Sequence, residues 1–171
     1  MNTNKLIDAL SCVENTPFGI ATKNYFLKDS FADAFCKAPA STRYHRTYEG
    51  GLLDHCLEVL EFYEYILDCI SIDYDHSENI CTALLHDVSK VYMYVPSLAP
   101  PPYVIPTYDT HSIFPMIDFE ARTGKNIPKH IADIIRRHMG PWSEEQVFPE
   151  TLQQIAFYSA DHLSATLNKP K

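Results

Sequence analysis

No apolar run in the sequence approaches the ~20 residues that a membrane span needs, so a transmembrane anchor is not expected. Lys5, Leu6, Ile7 and Asp8 do not open a signal peptide either, which predicts a cytoplasmic chain. There is no CxxC pair: the 5 cysteines are an odd number, a dozen or more residues apart. That usage fits buried thiols in a reducing compartment better than a disulfide scaffold. Basic charge is short, with 14 Lys+Arg against 22 Asp+Glu and a formal net charge of −8. A general duplex-DNA binder needs a basic face to release counterions, so that class is excluded. Internal repeats and low-complexity segments are lacking as well. What is present is a 46% hydrophobic chain with 12% aromatic residues, too apolar for disorder. Its 171 residues predict one domain, 1–171, burying roughly two-thirds of the unfolded surface.

The charge is unevenly placed. Ten acidic residues and no Lys or Arg lie between Thr47 and Ser89. Glu58, Glu61, Glu64 and Asp68 read as a solvated helix face. Helix periodicity dominates the chain. It predicts short helices over 5–14 and 27–38 around a loop holding Pro17 and Gly19, then a connector over 40–51 with Gly50-Gly51 as its hinge. The longest helix follows, about 52–70, with an apolar stripe of Leu52, Cys56, Val59, Leu60, Tyr63, Leu67 and Ile70. Further helices are expected at 78–91 with Ser77 as N-cap, at 110–123 capped by Thr110, at 128–139 with Pro128 leading, and at 150–167. The expected fold is an all-α bundle with one Pro/Tyr-rich excursion over 92–109. Within it, residues 92–95 and 103–105 are candidates for a β-hairpin arm, limited by prolines to an edge. That segment reads equally as a lid stacking on a nucleobase or as an arm against the bundle or another subunit of a homo-oligomer.

Chemistry-bearing residues occupy positions where the periodicity wants apolar ones. His55 lies on the line of Leu52, Val59, Phe62 and Ile66. Asp87 continues the stripe of Ile80, Leu84 and Val91, and His138 completes that of Ile131, Ile134 and Ile135. A lone core histidine is usually only hydrogen-bonded. A buried carboxylate must be neutralised, and a divalent cation with imidazoles around it does so. His55, the adjacent pair His86-Asp87, His111, His138 and Asp161 form an ordered set contributed by several helices.

The segments APASTRYHRTYEGGLLDHCLEV, ALLHDVSKV, RRHMGPW and SADHLSAT together resemble the motifs of the HD-domain metal-dependent phosphohydrolases, over about residues 39–165. The similarity leans towards small bacterial and bacteriophage HD hydrolases and the HD domain joined to certain 3′-to-5′ exoribonucleases. It implies an HD-type helical bundle in which His55, His86, Asp87 and Asp161 hold a first metal ion. Asp87 would bridge to a second ion in dinuclear members, with His111 and His138 as its further ligands. The resemblance also implies one or two divalent ions (Mn, Fe, Ni, Zn or Mg) supplying hydroxide that attacks phosphorus. His45 sits where relatives often carry one of a His-His pair, with Arg46 in place of the second.

On this view Asp87 and Lys90 are the catalytic residues. Lys90, one turn after His86, offsets charge on the phosphoryl oxygens; the alternative is a solvated lysine at a helix end. Arg43, His45 and Arg46 on the preceding loop, with Trp142 as a pocket wall or a core anchor, complete the substrate-binding candidates. The expected substrate is a small phosphorylated molecule: a nucleotide, cyclic nucleotide or short oligonucleotide. A metal-stabilised module that sequesters a nucleotide without turnover is the alternative, and turnover against binding separates the two.

Overall fold

The structure, a computed structural model, describes residues 2–28, 30–96, 103–104, 111–143 and 146–168. In chain order its helices are α1 (Asn2–Ser11), α2 (Pro17–Leu27), α3 (Phe31–Lys37), α4 (Gly51–Cys69), α5 (His76–Leu85), α6 (Lys90–Met93), α7 (Phe114–Thr123), α8 (Lys129–Arg137) and α9 (Leu152–Leu167), with a 3₁₀ turn at Gly140–Trp142. The fold is all-α. No helix among the described residues is long and apolar enough to cross a membrane.

The expected loop around Pro17 and Gly19 is instead helix α2. Proline at the first helical position lacks only an N–H that would have been unpaired there, so Pro17 starts the helix. The Thr16 hydroxyl caps it, accepting from the Gly19 N–H at 3.0 Å. Tyr25 and Phe26 from α2 meet Phe31, Phe35 and Phe119 in an aromatic cluster at one end of the core.

α4 buries Leu52, Cys56, Val59, Tyr63 and Leu67, the stripe expected from its spacing, while Ile70 lies past the helix end and is exposed. Gly50 enters α4 with φ of 90°, and a Cβ on Gly51 would stand 2.1 Å from the Arg46 carbonyl oxygen. Two glycines are therefore what lets the 39–50 loop fold back onto the start of this helix. α5 is buried almost all round, as a central core helix should be. Its cap is Asp75, whose carboxylate accepts from the Glu78 N–H at 2.9 Å. Ser77, the expected cap, instead accepts from the Glu14 N–H at 2.8 Å and ties down the end of α1.

The helix expected over 78–91 is broken at the His86-Asp87 pair. Past Leu85 the backbone tightens into three-residue turns, with Val88 N–H on Leu85 O, Lys90 N–H on Asp87 O and Val91 N–H on Val88 O. α6 follows as a single helical turn. The β-hairpin arm expected over 92–109 is not built: Tyr92 and Met93 close α6. Among the described residues, the extended pairing there is a two-residue contact of Val95–Pro96 with Tyr103–Val104. Thr110, the expected cap of the next helix, lies outside the described residues, and α7 begins later, at Phe114, with Pro115 in its first turn.

α9 starts with a capping box in which Thr151 and Gln154 exchange side-chain and backbone hydrogen bonds. It packs along α4, and Tyr63, Phe157, Ala156 and Ala160 form a second apolar cluster between them. Of the cysteines, Cys36, Cys56 and Cys81 are buried thiols, whereas Cys12 and Cys69 are exposed; none forms a disulfide.

Candidate metal centre

The six residues singled out as ligands converge on one largely buried cluster. His55 comes from the second turn of α4, His86 and Asp87 from the tight turn after α5, and His111 from the turn before α7. His138 is the C-cap of α8, and Asp161 lies midway along α9. His55, His86, Asp87 and His138 are at most 1% exposed. With His45, the imidazoles form an arc His45–His55–His86–His138–His111 with successive ring centroids 5.1, 5.4, 5.0 and 5.3 Å apart. Phe157 closes the floor, edge-on to His86 at 5.4 Å.

Asp87 stands at the focus, and its two oxygens divide the histidines between them. Oδ2 is 3.3 Å from Nε2 of both His55 and His86. Oδ1 is 2.9 Å from His111 Nε2 and 3.7 Å from His138 Nε2. Asp161 Oδ1 lies 3.0 Å from His55 Nε2 and 4.0 Å from His86 Nε2. Two sets of ligand atoms, from His55, His86 and Asp161 and from His86, Asp87 and His138, each lie within 4.8 Å of one another.

The proton positions follow from the outer ring nitrogens. His86 Nδ1 is 2.7 Å from the Ala83 carbonyl and His138 Nδ1 is 2.5 Å from the Ile135 carbonyl. A carbonyl only accepts, so both rings carry their proton on Nδ1. His55 Nδ1 is 2.9 Å from Ser164 Oγ, whose own proton goes to Glu58 at 2.7 Å; the serine oxygen therefore accepts from the ring. His111 Nδ1 meets the Ser89 hydroxyl. The Nε2 atoms of His55, His86 and His138 are thus left with lone pairs directed into the cavity, and none has a hydrogen-bond partner. Buried polar atoms are rarely left so. Outer N–H groups fixed on acceptors and inner lone pairs converging on carboxylates are what a divalent cation requires.

Charge supports the same fit. With the imidazoles neutral, the cavity holds two carboxylates, Asp87 and Asp161, against the Lys90 ammonium. Burial alone would raise the pKa of Asp87, but the Lys90 ammonium and then His86 outweigh it and hold the carboxyl well below its usual range. Burial likewise opposes ionisation of Asp161, and His55 and His86 reverse it. Lys90 forms an ion pair with Asp87, and although burial disfavours its charge, that carboxylate raises its pKa. Burial also works against charging His55, and Asp161 and Asp87 turn the shift upward. His111 is shifted down, chiefly by burial.

The expected substrate contacts occupy different settings. His45 is buried beside His55 with neither ring nitrogen hydrogen-bonded; burial, then the neighbouring Lys90 and His55, lowers its pKa to about 3. Arg46 does not present a free guanidinium: its Nη2 pairs with Glu58 at 2.8 Å, and its side chain is nearly buried. Arg43 is exposed on the same loop, and Trp142, four residues past His138, is 74% exposed and so is no core anchor. His76 and His130 are exposed, with a ring nitrogen against a carboxylate oxygen of Glu64 at 2.7 Å and of Glu78 at 2.9 Å. Glu58 and Ser164 were not singled out as functional by sequence reasoning, which placed Glu58 on a solvated face. Each lies three residues from a ligand, Glu58 from His55 and Ser164 from Asp161, and that helical spacing is the trace they leave in the sequence.

No family model matches the chain, and no solved structure matches it. In an alignment 140 positions long that covers 77% of the chain, it is 24% identical to a dihydroneopterin 2′,3′-cyclic phosphate phosphodiesterase of Methanocaldococcus jannaschii. The matched part is 53% of that protein, so the chain spans about half the length of the relative it matches. The chain is thus distantly similar to a phosphodiesterase and carries two His/Asp clusters with the geometry to hold metal.

Proposed function

We propose that this chain is a divalent-metal-dependent phosphohydrolase of the HD type that cleaves a phosphate ester of a nucleotide, cyclic nucleotide or short oligonucleotide. The observation that carries the proposal is the division of Asp87: one carboxylate facing two pairs of imidazoles, three of whose inner nitrogens have no hydrogen-bond partner. His55, His86 and Asp161 would hold one ion and His111 and His138 a second, with an Asp87 oxygen facing each pair of imidazoles. A divalent cation there supplies Lewis acidity and hydroxide near neutral pH.

The protein's own groups do the rest. Lys90 brings a desolvated ammonium to the cavity, where it offsets negative charge that grows on phosphoryl oxygens. His45, a neutral imidazole with both nitrogens unsatisfied, offers an N–H to the same oxygens. Arg43 and Trp142, both exposed, are the candidates for contacts to the more distant parts of a substrate. The named activity of the relative, on a cyclic phosphate, favours a diester. The test is turnover and binding with Mn²⁺ on mono-, tri-, cyclic and short oligonucleotides. Hydrolysis of at least one diester is expected; binding without hydrolysis across the panel would replace the enzyme with a sequestering module.

A further inference from the structure

Three of the inner histidines differ in what fixes their protons. His86 and His138 are held by carbonyls of their own helical turns, three residues back, which no substitution removes. His55 is held by side chains from other parts of the fold. Its Nδ1 donates to Ser164 Oγ at 2.9 Å across the α4–α9 interface. Ser164 is fully buried and donates to Glu58 Oε2 at 2.7 Å. The same Glu58 oxygen receives Asn168 Nδ2 at 2.8 Å and Arg46 Nη2 at 2.8 Å.

We infer that Glu58 and Ser164 form a positioning relay that sets the tautomer of His55, with Arg46 and Asn168 holding the glutamate in place. A hydroxyl can donate or accept, so Ser164 alone leaves the direction of its bond with His55 open. A carboxylate only accepts. Glu58 therefore takes the serine proton, the serine oxygen accepts from Nδ1, and the Nε2 lone pair is left for the cavity. Arg46 belongs to this relay and not to the substrate. Its place at φ of 43°, a costly backbone conformation for a residue with a side chain, delivers the guanidinium to Glu58 from the 39–50 loop. The relay rests on the metal-centre proposal, because it matters only if His55 Nε2 binds an ion.

Zinc serves as the probe, since it is diamagnetic and allows the ring protons to be observed. Its affinity is measured by chelator competition on the full chain, for wild type, Ser164→Ala and Ser164→Thr. Ring nitrogen and proton resonances of His55 are recorded in the zinc-loaded forms. Ser164→Ala is expected to weaken zinc about 10- to 100-fold, the usual scale for losing a partner of a metal-bound histidine, and to speed exchange of the Nδ1 proton. Ser164→Thr, which keeps the hydroxyl, is expected to recover most of both. Wild-type affinity and a protected Nδ1 proton in Ser164→Ala would overturn the relay. Equal losses in the Ala and Thr variants would trace the effect to packing and overturn it too. A wild-type chain that binds no zinc would overturn the centre itself, and the relay with it.

Discussion

The two sides of the cavity are built from different material. His55 and Asp161 project from α4 and α9, which pack along each other and share the Tyr63–Phe157 cluster. His111 and Lys90 stand on short irregular pieces, a turn before α7 and a single-turn helix after α5, at either end of a Pro/Tyr-rich segment. On the first side, long-range packing and a side-chain relay fix the geometry; on the second, the Ser89 hydroxyl and contacts to Asp87 do. The side built on long helices should hold its ion more tightly and lose it less readily when neighbours change. Asp87 faces both.

Removing what the two sides share has the largest expected effect. Asp87→Asn should abolish turnover and strip bound metal together. It also leaves the Lys90 ammonium without its partner, so in chelator the variant should be less stable by about 3 kcal/mol, measured by urea unfolding. Wild-type metal content and activity would make Asp87 an ordinary core residue.

Single-side substitutions sharpen the comparison. His86→Ala, which touches both ligand sets, should remove most bound metal, whereas His111→Ala should remove no more than about one ion. If elemental analysis finds the two alike, the sides are one cooperative site.

Lys90→Ala should slow turnover roughly 10²-fold with metal content unchanged, on the scale of losing one donor to a developing oxyanion. Lys90→Arg should recover part of the rate, because a planar fork does not replace a compact point charge. A fall in metal content in Lys90→Ala would show instead that the ammonium serves the Asp87 carboxylate with which it pairs.

The smallest effect concerns His45. Its folded pKa of about 3 lies below the unfolded value near 6.5, so the unfolded chain takes up the proton first. Its contribution to stability is present above about pH 6.5 and is lost as the pH falls towards 3. Over that window the urea midpoint of His45→Gln in chelator should fall less than that of wild type.

Three of the candidate ligands were legible from periodicity, because a carboxylate or imidazole on an apolar stripe asks for a partner; His86, His111 and Asp161 came from the ordered motifs. His55, Asp87 and His138 each interrupt such a stripe, and the structure buries all of them. Long-range pairings were not legible. Glu58 and Ser164 are 106 residues apart, and nothing in local periodicity says that α4 lies against α9. Glu58 therefore read as solvated and Arg46 as free for phosphate. Pro17 read as a breaker although it begins a helix, and Tyr92, at the start of a candidate strand, belongs to α6 instead. Local pattern and motif resemblance together pointed to the candidate ligands; the contacts that orient them belong to the tertiary fold.

If the unpartnered imidazole nitrogens and the Asp87 and Asp161 carboxylates hold divalent ions, metal returns to the chain after it has been stripped. Elemental analysis of the chain after chelator stripping and reconstitution with Mn²⁺ or Zn²⁺ tests it most directly. Between one and two equivalents per chain are expected in wild type, with a large loss in His86→Ala; a value near zero in wild type would contradict the metal centre.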